Sequence, residues 1–147
     1  MRRCLAGTIM SIKVSRTRIY TFSAAHRLNS KILDEQKNVE VYDKCNNPLG
    51  HGHNYKLELT ISGKPDSTTG MIIPHSELDG KVKDLLNDIS YKHLDNEVPY
   101  FKDKISSGEN IVKYLWDQLD ARIGGKMLYH LKLWETNNNS FEIGKDT

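Results

Sequence analysis

Two segments that alternate apolar and polar residues, two apolar helical stripes, and a closing pair of alternating segments predict an α+β fold. In chain order they read β-β-α-α-β-β, which makes a four-stranded antiparallel sheet with two helices on one face. Nothing repeats internally and no linker-like stretch divides the sequence, so residues 14–147 are expected to form one domain.

The first strand begins at Val14. Tyr20, Phe22, Ala24 and His26 share one face, and Ile19, Thr21, Ser23 and Ala25 the other, the period of two that an extended backbone imposes. The apolar parity ends on His26. A polar loop is expected from about Asn29 to Asn54. Tyr55 to Gly63 then reads as a second strand, with Tyr55, Leu57, Leu59 and Ile61 on its apolar face. Residues 64–70 form a turn cluster, and the short apolar piece Met71–Ile73 is closed by Pro74. Leu78, Val82, Leu85, Leu86 and Ile89 fall on one helical stripe. Val98-Pro99-Tyr100-Phe101 is an irregular connector. Ser106-Ser107-Gly108-Glu109 fits an S-x-x-E capping box. The helix it opens carries Ile111, Val112, Leu115, Trp116, Leu119 and Ile123 and is closed by Gly124-Gly125. Met127 to Thr136 is a third strand, and Asn137-Asn138-Asn139 turns into a fourth, Ser140 to Ile143. Such a sheet has two open edges, through which association is expected.

The bulk numbers exclude several classes. Twenty-one basic against nineteen acidic residues leave a net charge of +2, too balanced to point to a nucleic-acid partner. No apolar run approaches the roughly 18 residues that span a bilayer. Two cysteines, Cys4 and Cys45, make no disulfide framework, so a reducing compartment is the default. The first 33 residues hold no Asp or Glu and several Arg and Lys, faintly like a transit peptide. The simpler expectation is a disordered basic tail over residues 1–13 and a cytoplasmic protein, with Met10 an alternative start to Met1.

Candidate chemistry gathers in Lys44-Cys45-Asn46-Asn47-Pro48-Leu49-Gly50-His51-Gly52-His53-Asn54-Tyr55. On extended backbone His51 and His53 share a face, roughly 6.6–7 Å apart, close enough to share a cation. Both have the parity of the apolar face that follows. If the first two strands pair, His26 meets them and completes a His₃ site with one open position, as in catalytic zinc centres. Taken alone, the His-Gly-His pair is equally compatible with a solvated turn. Cys45 is a candidate nucleophile or base, since a nearby cation would favour its thiolate. Its polar neighbours argue against burial. Glu135 lies on the apolar side of its strand, so it is a strand-end charge, a paired one, or one placed to meet a ligand's donors.

Phe22-Ser23-Ala24-Ala25-His26-Arg27-Leu28, then Lys44-Cys45-Asn46-Asn47-Pro48 through His51-Gly52-His53-Asn54-Tyr55, then Ser107-Gly108-Glu109-Asn110 and Trp134-Glu135-Thr136, resemble the 6-pyruvoyl-tetrahydropterin synthase family from about Val14 onward. The interval from Cys45 to His51 resembles its animal members. The resemblance implies the tunnelling fold and oligomerisation into a barrel, usually a homohexamer with active sites at subunit interfaces. It implies a lyase of tetrahydrobiopterin biosynthesis that takes triphosphate from 7,8-dihydroneopterin triphosphate. It further implies zinc on His26, His51 and His53, Cys45 as proton-abstracting base, and Glu135 as pterin anchor, with Ser107 and Glu109 also at the pterin. Where the family usually has an Asp-His pair, this sequence reads Ser90-Tyr91, and Gly108 replaces a usual threonine. Tyr91 and His93 are therefore the candidate proton partners of Cys45. A paralogue that binds zinc and pterin with weakened catalysis, or a relative with different pterin side-chain chemistry, stays open at this point.

Overall fold

The computed structural model describes residues 12–145. The tail expected over residues 1–13 lies, apart from Ile12 and Lys13, outside the described residues. In chain order the elements are β1 (Val14–His26), α1 (Glu35–Tyr42), β2 (His51–Gly63), α2 (His75–Ile89), α3 (Leu94–Glu97), α4 (Gly108–Ile123), β3 (Leu128–Thr136) and β4 (Asn139–Gly144).

The alternation of β1 works as read: Tyr20, Phe22, Ala24 and His26 are buried, and Ile19 on the opposite face is 61% exposed. β1 pairs antiparallel with β2, from Val14 opposite Gly63 to His26 opposite His51. β3 and β4 follow by antiparallel pairing, giving the sheet order β1-β2-β3-β4. Tyr55, Leu57, Leu59 and Ile61 of β2 are fully buried under Leu78, Leu85, Leu115 and Leu119 of α2 and α4. The two stripes therefore cover one face, as expected. No helix among the described residues is long and apolar enough to cross a membrane.

The expected loop at residues 29–54 is the main difference. It contains α1, a 3₁₀ turn at Asp43–Asn46, and the first residues of β2, which starts at His51 rather than Tyr55. α1 has no apolar stripe; Asn38 is its one buried residue. It is held by hydrogen bonds instead. Asp34 caps it by accepting from the Lys37 N–H at 2.7 Å, and the Asn38 amide bonds Ser30, Leu33 and Asp34. β2 starts early because backbone pairing with β1 continues through Gly52 and both histidines, where no apolar residue signals a strand.

The capping box also shifts by one residue. Ser107, not Ser106, caps α4, its hydroxyl accepting from the Asn110 N–H. The connector after α2 holds α3 and a 3₁₀ turn at Pro99–Lys102. Gly108 opens α4 under the ring of Phe141 from β4. A Cβ at 108 would lie 1.9 Å from that ring, so no side chain fits there as the ring stands.

β1 is tied to α2 by a polar clamp. Arg18 donates to both carboxylate oxygens of Asp79, at 2.8 and 2.9 Å, and Tyr20 adds its O–H at 2.7 Å. The Tyr20 bond and the Arg18 charge hold the Asp79 carboxyl below its usual range. A depressed native pKa contributes stability that is present above the unfolded value, near 3.9, and is lost as pH falls through the native one. Asp79→Asn should therefore lower the thermal midpoint by about 2–4 °C at neutral pH. The gap to wild type should close below about pH 4. Circular-dichroism melts across pH check this, and a pH-independent gap would refute it.

Candidate metal centre and active site

Three imidazoles meet at one end of the sheet, on its core face. His26 ends β1, His51 begins β2 directly opposite, and His53 follows at the next inward position. One ring nitrogen from each lies within 4.8 Å of the others, and the Nε2 atoms of His26 and His51 are 3.1 Å apart. His26 is 1% exposed. Its Nδ1 lies 2.6 Å from the Ser106 carbonyl, which can only accept, so Nδ1 carries the proton and the Nε2 lone pair faces the cluster. Burial lowers the pKa of both His51 and His53, and the neighbouring imidazoles add to it. Neutral imidazole is the ligating form.

The Nδ1 of His51 and the Nε2 of His53 are buried without a hydrogen-bond partner. Buried polar groups are rarely left so. Three neutral nitrogens converging on one point, two of the residues with orphaned ring atoms and one oriented from behind by a carbonyl, fit a divalent cation of the zinc type.

The Glu135 carboxylate, from the end of β3, faces the same point. Its Oε1 lies 3.6 Å from His26 Nε2 and 3.8 Å from His53 Nε2, and its side chain is 13% exposed. Asn139 donates to the other oxygen at 3.1 Å. Cys45 sits half-buried in the 3₁₀ turn, which is fixed by the Leu28 N–H donating to the Cys45 carbonyl at 2.9 Å. Burial pushes its thiol up, and the Glu135 and Asp43 charges push the same way. A cation at the imidazoles would oppose that shift.

Comparison with known proteins decides the family. The family model described as 6-pyruvoyl tetrahydropterin synthase matches residues 15–146. The human 6-pyruvoyl tetrahydrobiopterin synthase is 43% identical over 94% of this chain and 90% of its own. The Drosophila melanogaster protein of that name is 41% identical over 84% of this chain and 74% of its own. The solved Caenorhabditis elegans 6-pyruvoyl tetrahydropterin synthase superposes with a TM-score of 0.88 at 34% identity, covering 92% of this chain and 97% of that one. The chain belongs to the 6-pyruvoyl tetrahydropterin synthase family. Its β-β-α-α-β-β order is the tunnelling fold.

Within this family framework, the remaining expected residues separate. Ser107 and Glu109 stand in the first turn of α4, Ser107 half-buried and Glu109 exposed. Tyr91 is 90% exposed and holds a left-handed φ of 61°, its N–H donating to the Ser23 carbonyl at 2.6 Å. His93 turns inward. Gly50, at φ +73°, lets it approach: a Cβ there would lie 2.6 Å from His93 Nε2 and 2.7 Å from the His26 carbonyl oxygen. The His93 Nδ1 is 3.6 Å from an Asp95 oxygen.

Sequence reasoning missed Asp95 and Ser106. Asp95 accepts from the Arg27 N–H and from the Ser106 hydroxyl, both at 2.7 Å, and Ser106 in turn orients His26. Neither lies on a periodic stripe, and their roles depend on three segments meeting. His51→Ala should cost the protein its bound divalent metal, while His130→Ala, on the outer sheet face beside Glu142, should retain it. Elemental analysis of the two folded variants decides; equal metal content would remove the imidazole cluster as the site.

Proposed function

We propose that this protein is a zinc-dependent 6-pyruvoyl-tetrahydropterin synthase that acts on 7,8-dihydroneopterin triphosphate and releases triphosphate. The observation that carries the reading is the buried three-imidazole cluster with the Glu135 carboxylate beside it, in a member of this family. His26, His51 and His53 would hold the zinc, whose chemistry there is Lewis acidity toward the oxygens of the substrate's three-carbon arm.

Cys45 is the proposed general base, taking a proton from a carbon of that arm. Glu135 is the proposed pterin anchor. Its Oε1 has no hydrogen bond at normal length, so it is free to accept ring N–H donors, while Asn139 holds the other oxygen. Ser107 and Glu109, in the first turn of α4, complete the proposed pterin contacts. Tyr91 and His93 are the proposed proton partners of Cys45. His93 reaches in beside Gly50 within one subunit, while the exposed Tyr91 would act across a subunit boundary.

The proposed assembly is a homohexamer with sites at its interfaces, in the cytoplasm. Unpaired edges support it: along β1, the segment Tyr91–His93 bonds only Ser23 and Ala25, and β4 is the outer strand on the other side.

Incubating the purified metal-loaded protein with dihydroneopterin triphosphate should yield pyruvoyl-tetrahydropterin and triphosphate, identified by mass spectrometry. Zinc-loaded protein that binds pterin and releases no triphosphate would sink the assignment. Cys45→Ala should lower kcat by about 10²–10⁴-fold with metal content unchanged. Glu135→Gln should mainly raise KM, because a neutral amide loses the charge-assisted pairing. Steady-state kinetics on the two variants check both.

A further inference from the structure

Strand β4 carries no residue placed in contact with the pterin above, yet two of its side chains touch the elements that are. Asn139 and Phe141 lie two residues apart and share a face, the one on which Phe141 and Ile143 pack against the core. Asn139 donates from its side-chain amide to Glu135 Oε2 at 3.1 Å. The Phe141 ring lies over Gly108, in the place that a side chain at that position would take. Ser107 and Glu109 flank this glycine at the start of α4.

Glu135 depends on such an outside partner. Trp134 pairs with Ser140 and Thr136 with Asn139, so Glu135 between them is the extra residue of a β-bulge and has no partner on β4. A bulge interrupts the ladder and re-aims the side chain it carries, so backbone pairing alone does not fix the carboxylate. The Asn139 amide does. By holding Oε2 it leaves Oε1 turned to the imidazoles, 3.6 Å from His26 Nε2 and 3.8 Å from His53 Nε2. The start of α4 is fixed from two sides. The Ser106 carbonyl, just ahead of the helix, lies 2.6 Å from His26 Nδ1, and Gly108 bears on the Phe141 ring. We propose that Asn139 and Phe141 are positioning residues that set the separation between the Glu135 carboxylate and the first turn of α4. This rests on the synthase reading for the pterin and for its contacts at Glu135, Ser107 and Glu109. A flat, rigid ring system that meets a carboxylate on one side and helix groups on another cannot bend to follow a displaced partner, so its affinity depends on that separation. Ground and transition states hold the same ring, so loss of either residue raises KM and leaves kcat in place.

The test measures neopterin affinity by titration calorimetry on the full metal-loaded protein, with KM and kcat for dihydroneopterin triphosphate alongside. Asn139→Asp keeps the size of the group, removes the amide donor and sets a like charge against Glu135. It should bind neopterin about tenfold more weakly. Asn139→Gln keeps the donor and should bind more tightly than Asn139→Asp. Phe141→Ala should weaken neopterin by about three- to tenfold, and Phe141→Leu, which keeps most of the bulk, should lose less. Metal content should match wild type throughout, which a general loosening of the site would not allow. Glu142→Gln, on the same strand but facing outward to His130 and Lys132, should bind neopterin as wild type does. Wild-type affinity in either Asn139→Asp or Phe141→Ala, an equal loss in Glu142→Gln, or a fall in kcat at constant KM overturns the proposal. Wild type that fails to bind neopterin overturns it together with the synthase reading. If the affinities fall as expected but wild type releases no triphosphate, the positioning role stands and the synthase reading falls.

Discussion

The register of β1 against β2 is the constraint on which the site depends. His26 opposite His51, with His53 one inward position further on, converges only in that register. A slip of one residue would move one strand's imidazoles to the outer face and break the apolar set of that strand as well. The same pairing that buries Tyr55, Leu57, Leu59 and Ile61 therefore aims the histidines. Core formation and ligand placement are one event: the hydrophobic contacts that specify the sheet also specify the donor geometry.

A second layer holds the end of the sheet still. Asp95, in α3, accepts from the backbone just past His26 and from the hydroxyl of Ser106, whose carbonyl accepts the hydrogen bond of the His26 Nδ1–H. Three segments distant in sequence thus close on one imidazole. Buried networks of this kind are costly when incomplete. This one is complete around His26, while orphaned ring nitrogens remain at His51 and His53. The Nε2 atoms of His26 and His51 face each other across the cluster, and the His26 ring is fixed from behind by the Ser106 carbonyl, the arrangement expected of a preorganised centre.

Much of this was legible in the residues. Parity alone carried His26 onto the face of Tyr20 and Phe22, and carried His51, His53 and Glu135 toward the core side of their strands. What was not legible has a common cause. α1 is held by the Asp34 cap and the Asn38 amide rather than by an apolar stripe, so periodicity had nothing to detect. The opening residues of β2 include no apolar side group, and their strand character comes from the partner they pair with. Ser106 resembled a cap because the residue after it is one. In each case hydrogen bonds between distant segments decided the local structure, and a single strand of text does not display its own partners.

Gly108 and Phe141 carry a consequence for how such a protein can evolve. As it stands, the ring fills the space that a side group at 108 would need, so a threonine there requires the Phe141 ring to turn away. The two positions are therefore coupled: bulk at 108 has to be accommodated by the group at 141. The first turn of that helix, where Ser107 and Glu109 stand, is thereby coupled to the outermost strand of the sheet, and a change on β4 can alter the site without touching it.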